Sequence, residues 1–423
     1  MRVSLVTSAD CAGFGLEFFE ALRYLSADNG GVSRGGYSAA EDAAHTLLAN
    51  YASRNGLTVS IDEACNTWVE LPGTDSSADA IVIGSHLDSV RQGGNYDGAA
   101  GVVGGLAMLF RLQDTTQLRR PVRLVAFRGE EAAWFGTCYI GSRALVGTLE
   151  SEMLDAVSPE YRISLREALQ EAGADLGPIE ANTALSASKS IHQYFEMHIE
   201  QGPLLVAADC PVGVVTGIRG NYRYPAITWL GEAGHSGAVS RNLRHDAVLG
   251  ATEWLTTVER LWIDEEVAGA DLVVTAGIFS TDPMHHAVTR IPDSVRMSLD
   301  IRSVDVSTLQ RVSEQAMELA SQIASRRGLE VLVGERVDTM PASIDTDTVS
   351  MIYDTALGLG YPAMKLPSGA GHDAAALGAA GIPIGMIFVR NENGSHNAQE
   401  ALDIDDFCVG VDVLTEVTKR AAQ

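Results

Sequence analysis

A chain of 423 residues with 46% hydrophobic but only 6% aromatic side chains has the composition of an ordinary α/β protein, long enough for two domains. Its formal net charge of -25 argues against nucleic acid and anionic membrane surfaces as partners, because both require a positive footprint. The five cysteines, Cys11, Cys65, Cys138, Cys210 and Cys408, are scattered and form no C-x-x-C pair, which points to a reducing compartment. The opening MRVSLVTSADCAGFG has too short an apolar stretch for a secretion signal, and no apolar run reaches membrane-span length, so a cytoplasmic protein is expected.

From Leu16 to about Asn55 the pattern is helical, with Ser38 and Glu41 spaced as an N-cap and capping box ahead of DAAHTLLANYASRNG. LTVSID, TWVELP and AIVIGSH then read as strands, and GAAGVVGGLAMLFRLQ as a buried helix. VRLVAF, YFEMHIE and PIGMIFVR are further apolar runs of strand type. Between about Val214 and Thr339 the rhythm changes. VVTGIRGNYRYPAITWLG, DAVLGATEWLTTVERLW, DLVVTAGIF, SVRMSLDIRS, VSTLQRVSEQAMELASQIASRR and LEVLVGERV give the order βαββαβ, which is ferredoxin-like. Signals of the first type resume with SMIYDTALGLG. The expected organisation is a discontinuous α/β domain of residues 1–213 and 340–423, interrupted by an inserted α+β domain of residues 214–339.

Five residues of metal-ligand type follow one another through the α/β part: His86, Asp97, Glu131, His198 and His396. All but Asp97 come after a strand-like run, and in an open α/β sheet functional groups collect beyond the carboxyl ends of the strands. Imidazole and carboxylate without thiolate suit a catalytic divalent ion, such as zinc, manganese, cobalt or nickel. In His86-x-Asp88 the carboxylate is placed to accept the second ring N–H of a ligating histidine. Asp97 lies in a glycine-rich turn where a short carboxylate can bridge two cations. Glu130 and Glu131 are adjacent at a strand end and point apart, so one can bind metal while the other serves as general base. Taken singly, each has a plain alternative as a polar strand-end loop, an ordinary turn or a solvated acidic pair. GAAGVVGG lacks the leading strand and following acid of a dinucleotide site, and HExxH and reactive-cysteine signatures are missing.

In order, GSHLDSV, GGNYDG, Glu130-Glu131 before FG and GSRAL, HIEQGP, GEAGHSG, SLDIRS, LPSGAGHDA and NGSHNAQE closely resemble the metal-dependent amidohydrolases that comprise N-carbamoyl-L-amino acid hydrolases, β-ureidopropionases and allantoate amidohydrolases, within the aminoacylase and carboxypeptidase G group. The likeness runs from GGVSR and SAAEDAAH to His396. It implies a zinc-peptidase-like catalytic domain with a mixed central sheet flanked by helices, and a ferredoxin-like insert that acts as lid and dimerisation domain. It implies two divalent ions, with Asp97 bridging, His86 and His198 completing one and Glu131 and His396 the other. Glu130 would be the general base and His235 of GEAGHSG the oxyanion donor, while Arg302 of SLDIRS would clamp a substrate carboxylate. Gln201, Thr289 and the backbone at Gly369 and Gly371 would complete the pocket of a homodimeric enzyme acting on a small carboxylate substrate. N-carbamoyl-L-amino acids come first, with allantoate, other ureido acids, N-acyl amino acids and dipeptides as alternatives.

Departures from the family pattern fall outside the metal residues. Thr289 stands where an asparagine is usual, and Ala132, Ala133 and Trp134 replace the Gly-Ser-Arg type run. SGAVSRNLRHDA follows His235 in place of a run of the A-G-T-T-P-M type. Retained hydrolysis with altered specificity is expected. A non-catalytic metal-binding protein is the rival of another class, and the presence of Glu130 argues against it.

Overall fold

A computed structural model describes residues 8–113 and 118–423. Part of the opening stretch read above for a secretion signal, residues 1–7, lies outside them. The chain divides into two compact units, one of Met1–Thr216 with Ser343–Gln423 and one of Gly217–Ala342. In chain order the main strands are β1 Thr58–Ile61, β2 Thr67–Leu71, β3 Ala80–His86, β4 Val122–Phe127, β5 Ile191–Ile199, β6 Val212–Ile218, β7 Gly220–Leu230, β8 Val273–Thr275, β9 Ser294–Ser303, β10 Glu330–Val333, β11 Ala363–Ser368 and β12 Ile384–Val389.

The first unit is built on a mixed sheet in which β6, β12, β5, β3, β4, β2 and β1 lie side by side, with β11 on β6. The central pairs β12/β5, β5/β3 and β3/β4 are parallel, and the outer pairs antiparallel. Every residue of β3 and of β12 is buried, which explains why both read as unbroken apolar runs rather than alternating ones. The helix Ala99–Leu112 is buried on nearly all sides, packed against β3, β4 and β5 and against the C-terminal helix Ile404–Ala421. The short helices Ile140–Val146 and Asp373–Ala379 pack on each other, the latter also on β5 and β12. The expected mixed sheet flanked by helices is the one found.

Two local expectations are corrected. The helical pattern between Leu16 and Asn55 is two helices, Ser8–Ser26 and Ala39–Arg54, separated by a tight antiparallel turn. Asn29 and Gly30 sit there with φ of 47° and 91°, the Asn-Gly pair that a two-residue hairpin favours. Ser38 caps the second helix as expected, accepting from the Glu41 N–H. The reciprocal half of the box is absent: the Glu41 carboxylate takes the Tyr37 N–H at 2.6 Å, the Gly129 N–H at 2.9 Å and the Arg128 guanidinium at 2.7 Å. A fully buried carboxylate needs a cation more than a helix needs a second cap, and Arg128 supplies it.

The second unit has an antiparallel sheet in the order β8, β9, β7, β10, with helices Ala247–Val267 and Val306–Arg327 packed on it and on each other. Its core centres on Trp229 and Trp254, both fully buried, with Val295, Met297, Ile301, Leu309 and Ala316 around them. Trp254 Nε1–H donates to the Ala316 carbonyl at 2.7 Å, so the polar tip of a large core side chain is satisfied. Among the described residues no helix is long and apolar enough to cross a membrane.

Candidate metal centre

The parallel strands deliver the ligand-type residues to one edge. His86 is the last residue of β3, His198 the penultimate residue of β5, Glu130 and Glu131 follow β4, and His396 follows β12. Asp97 immediately precedes the helix Ala99–Leu112 across Gly98. Gly98 has φ of 64°, and a Cβ there would stand 2.5 Å from the His86 ring, so the turn tolerates glycine alone. Gln201 and His396 are non-glycine residues in the same left-handed region, a strain that clusters where a side chain must be aimed.

Asp97 is the hub. Its Oδ1 lies 3.2 Å from His198 Nε2 and 3.7 Å from His86 Nε2, while its Oδ2 lies 3.2 Å from His396 Nε2. His396 Nε2 is also 3.4 Å from Glu131 Oε1. Two groups with metal-holding geometry result, His86 with Asp97 and His198, and Asp97 with Glu131 and His396. Bonds of about 2.1 Å in a tetrahedral shell put neighbouring ligand atoms roughly 3.4 Å apart, and the separations here bracket that spacing. The donor set therefore fits divalent ions. Glu130 Oε2 stands 3.8 Å from His86 Nε2, beside the ligands.

Asp88 organises the loops behind them. Its Oδ1 accepts the Glu130 N–H and its Oδ2 the Glu131 N–H, each at 3.0 Å, and Oδ1 lies 3.3 Å from His86 Nδ1. His198 Nδ1 faces its own strand's Ile199 carbonyl at 2.8 Å, which leaves Nε2 as the ligand atom. Glu400 accepts the Tyr96 and Asp97 N–H groups and the Ser395 hydroxyl, and the Ser395 hydroxyl also lies 2.6 Å from Asp97 Oδ2.

The electrostatics are those of a site that holds protons where cations belong. Burial pushes the Glu130 carboxyl well up, reinforced by Glu131 and opposed by His86. Burial also opposes ionisation of Asp97, yet His198 and His396 hold its carboxyl well below the usual range. Asp97 and Glu131 push His396 up to about 10. His86 and His198 are raised against the opposing effect of burial, by the carboxylates around them.

The other expected residues fall as follows. Gln201 donates Nε2–H to Asp97 Oδ2 at 2.9 Å and is held through its backbone by Asn391. Gly369 and Gly371 lie in the loop after β11, where the Tyr139 hydroxyl fills the space a side chain on Gly371 would need. In the second unit His235 is exposed, its strand paired with Arg290, and its Nδ1 accepts the Gly237 N–H at 3.2 Å. Thr289 is exposed and its carbonyl accepts from Ser236. Arg302 is bound to Asp300 through Nε and a terminal nitrogen, at 3.2 and 3.0 Å. Trp134 is one of the departures from the family pattern. It is only 3% exposed, donates to the Ser89 carbonyl at 2.7 Å and stacks on Tyr161 at 5.4 Å, so it serves packing.

Residues that the sequence reading passed over complete the surroundings. His372 is buried with its ring centroid 4.4 Å from that of His198, and its Nε2 is 2.9 Å from the Ser368 hydroxyl. Burial and the neighbouring His198 hold it well below the usual imidazole range, so it is neutral. Glu196, His198 and His372 form a third group of metal-ligand type. The two-residue spacing of Glu196 and His198 on one strand was the available signal, since it puts both on one face.

A mixed α/β sheet with imidazoles and carboxylates converging at the carboxyl edge of its parallel strands defines the class as an enzyme with a candidate metal centre. The chain belongs to Peptidase family M20/M25/M40, whose model matches residues 82–420, and it is a hydrolase. It is 36% identical over 398 residues to the N-carbamoyl-L-amino acid amidohydrolase of Geobacillus stearothermophilus, covering 93% of this chain and 94% of that one. It is 34% identical over 388 residues to the N-carbamoyl-L-amino-acid amidohydrolase of Pseudomonas sp. (strain NS671), covering 91% and 92%. A solved amidase of the hydantoinase/carbamoylase family from Burkholderia multivorans superposes with a TM-score of 0.88 at 29% identity, over 98% of each chain.

Proposed function

We propose that this chain is a two-metal amidohydrolase that hydrolyses N-carbamoyl-L-amino acids to the amino acid, ammonia and carbon dioxide. The observation that carries the reading is the Asp97 carboxylate, whose two oxygens face two different ligand groups with Glu130 alongside. The names of the relatives support a ureido substrate.

Held by His86, Asp97 and His198 and by Asp97, Glu131 and His396, two divalent ions, zinc or else manganese, cobalt or nickel, would acidify the attacking water and polarise the scissile carbonyl. Glu130 takes the proton of the water that attacks the ureido carbon and returns it to the leaving nitrogen. Breakage of that carbon–nitrogen bond frees the amino acid and carbamic acid, which falls apart to ammonia and carbon dioxide. Its burial suits this work, since a carboxylate with a raised affinity for protons is a better base. His235 has Nδ1 engaged as acceptor, so Nε2–H is the donor for the oxyanion, a contact worth roughly 3 to 4 kcal/mol in comparable sites. Arg302 clamps the substrate carboxylate, with Asp300 orienting its fork until substrate arrives. Gln201, Thr289, Gly369 and Gly371 supply the remaining contacts. The first unit is then the catalytic domain and the second a lid and dimerisation domain of a cytoplasmic homodimer.

The test is turnover after reconstitution with zinc, manganese, cobalt and nickel in turn, against N-carbamoyl, N-acetyl, N-formyl and ureido acids including allantoate, recording ammonia and free amine. Ammonia with amine from a carbamoyl amino acid supports the reading. Amine without ammonia from acyl substrates alone replaces it with an aminoacylase, and preference for allantoate with a ureidohydrolase of that type.

A further inference from the structure

Behind the acidic centre lies a cation to which the sequence reading gave no role. Arg34, from the GGVSR segment, is fully buried, with 0% exposure. Among the described residues no carboxylate lies within ion-pair reach of it; Nε and one terminal nitrogen donate to neutral oxygens instead, and the other terminal nitrogen is buried without a hydrogen-bond partner. Nε–H donates to the Leu87 carbonyl at 2.8 Å, and one terminal nitrogen donates to Asn95 Oδ1 at 2.9 Å and to the Ser26 hydroxyl at 3.1 Å. The backbone adds a reciprocal pair, with Arg34 N–H to the Ser89 hydroxyl at 3.0 Å and Ser89 N–H to the Arg34 carbonyl at 2.8 Å.

Leu87 follows His86, Ser89 follows Asp88, and Asn95 is two residues before Asp97. One planar guanidinium therefore spans two of the three segments that bring ligands to the first group, those of His86 and Asp97. We propose that Arg34 is a positioning residue of the metal centre, tying the His86–Asp88 loop to the Asp97 turn so that their spacing is fixed before an ion binds. The inference rests on the two-metal reading above.

Two features separate this role from plain packing. A buried guanidinium bonded to neutral groups is expensive unless a field compensates it. Burial lowers its pKa to about 10, opposed by the charges of Asp88, Glu400 and Asp97, so Arg34 stays a cation at neutral pH and is held by the acids it serves. The second feature is rigidity. Asn95 is anchored on its far side, its Nδ2–H donating to the Phe19 carbonyl at 2.8 Å, so the link from Arg34 to the Asp97 turn has a fixed end. A lysine would keep the charge and lose the fork.

The test is calorimetric titration of the chelator-stripped chain with zinc and with manganese, for wild type, Arg34→Lys and Asn95→Ala, alongside melting temperature and separate kcat and KM. Arg34→Lys removes the fork and keeps the cation; Asn95→Ala keeps Arg34 and cuts its link to the Asp97 turn. The expected result is two ions bound by wild type, and an affinity in each variant about 10- to 100-fold weaker for at least one ion. In each variant kcat falls more than KM rises. Wild-type metal affinity and an unchanged kcat in both variants, with only the melting temperature lowered, would make Arg34 a packing residue and overturn the inference. If wild type itself binds no ion, the two-metal reading fails, and this inference with it; metal binding by wild type separates the two failures.

Discussion

At the scale of single residues, the cluster binds protons in the absence of metal, and this fixes how metal loading depends on pH. His86, His198 and His396 all have raised affinities for protons, the last with a value of about 10. Ligation requires neutral imidazole, so ions entering at neutral pH displace protons, and metal affinity falls as pH is lowered and still rises above pH 7. Titration in buffers of different ionisation enthalpy measures the protons released; their absence would contradict this account. Glu130→Gln should reduce turnover by roughly 10²- to 10⁴-fold, as removal of a general base does, with metal content preserved in elemental analysis. Asp88→Asn leaves one carboxylate-type oxygen for two backbone N–H groups, those of Glu130 and Glu131. Metal affinity about 10- to 100-fold weaker is expected, read in the same titrations.

At the scale of elements, the helix Val306–Arg327 has a cap whose state can be titrated. Asp305 accepts from the Ser307 and Thr308 N–H groups and hydroxyls, and these hydrogen bonds hold its carboxyl down at about 2. Since the folded value is depressed below the ordinary 3.8, the cap's contribution is complete above that pH and is lost as pH falls through about 2. Asp305→Ala should cost about 1 kcal/mol by denaturant unfolding. Trp254→Ala, which empties the middle of the second unit's core, should cost roughly 3 to 5 kcal/mol in the same measurement.

Strands were the most legible elements because a buried parallel strand is an unbroken β-branched run, as AIVIGSH is, and its end then marks where a ligand emerges. The Asn29-Gly30 turn was overlooked because helical spacing on either side of it happens to continue. The bonds of Glu41 to Arg128 and of Arg34 to the Leu87 carbonyl were illegible, since each joins residues more than 50 positions apart. The packing of Trp134 was illegible for a related reason: its ring partner Tyr161 stands in a segment that carries no motif.

At the scale of the molecule, a net charge of -25 would repel the carboxylate-bearing substrate proposed above. Screening relieves that repulsion, so kcat/KM should rise with salt between low and physiological ionic strength, and a fall would indicate a locally positive approach. On the two-metal reading, two ions would divide the charge of Asp97 between them and repel each other, so the first to leave would hand the whole carboxylate to the one that stays, and stripping should run in two separate steps. At half loading, mass spectrometry under native conditions would then find many chains carrying exactly one ion.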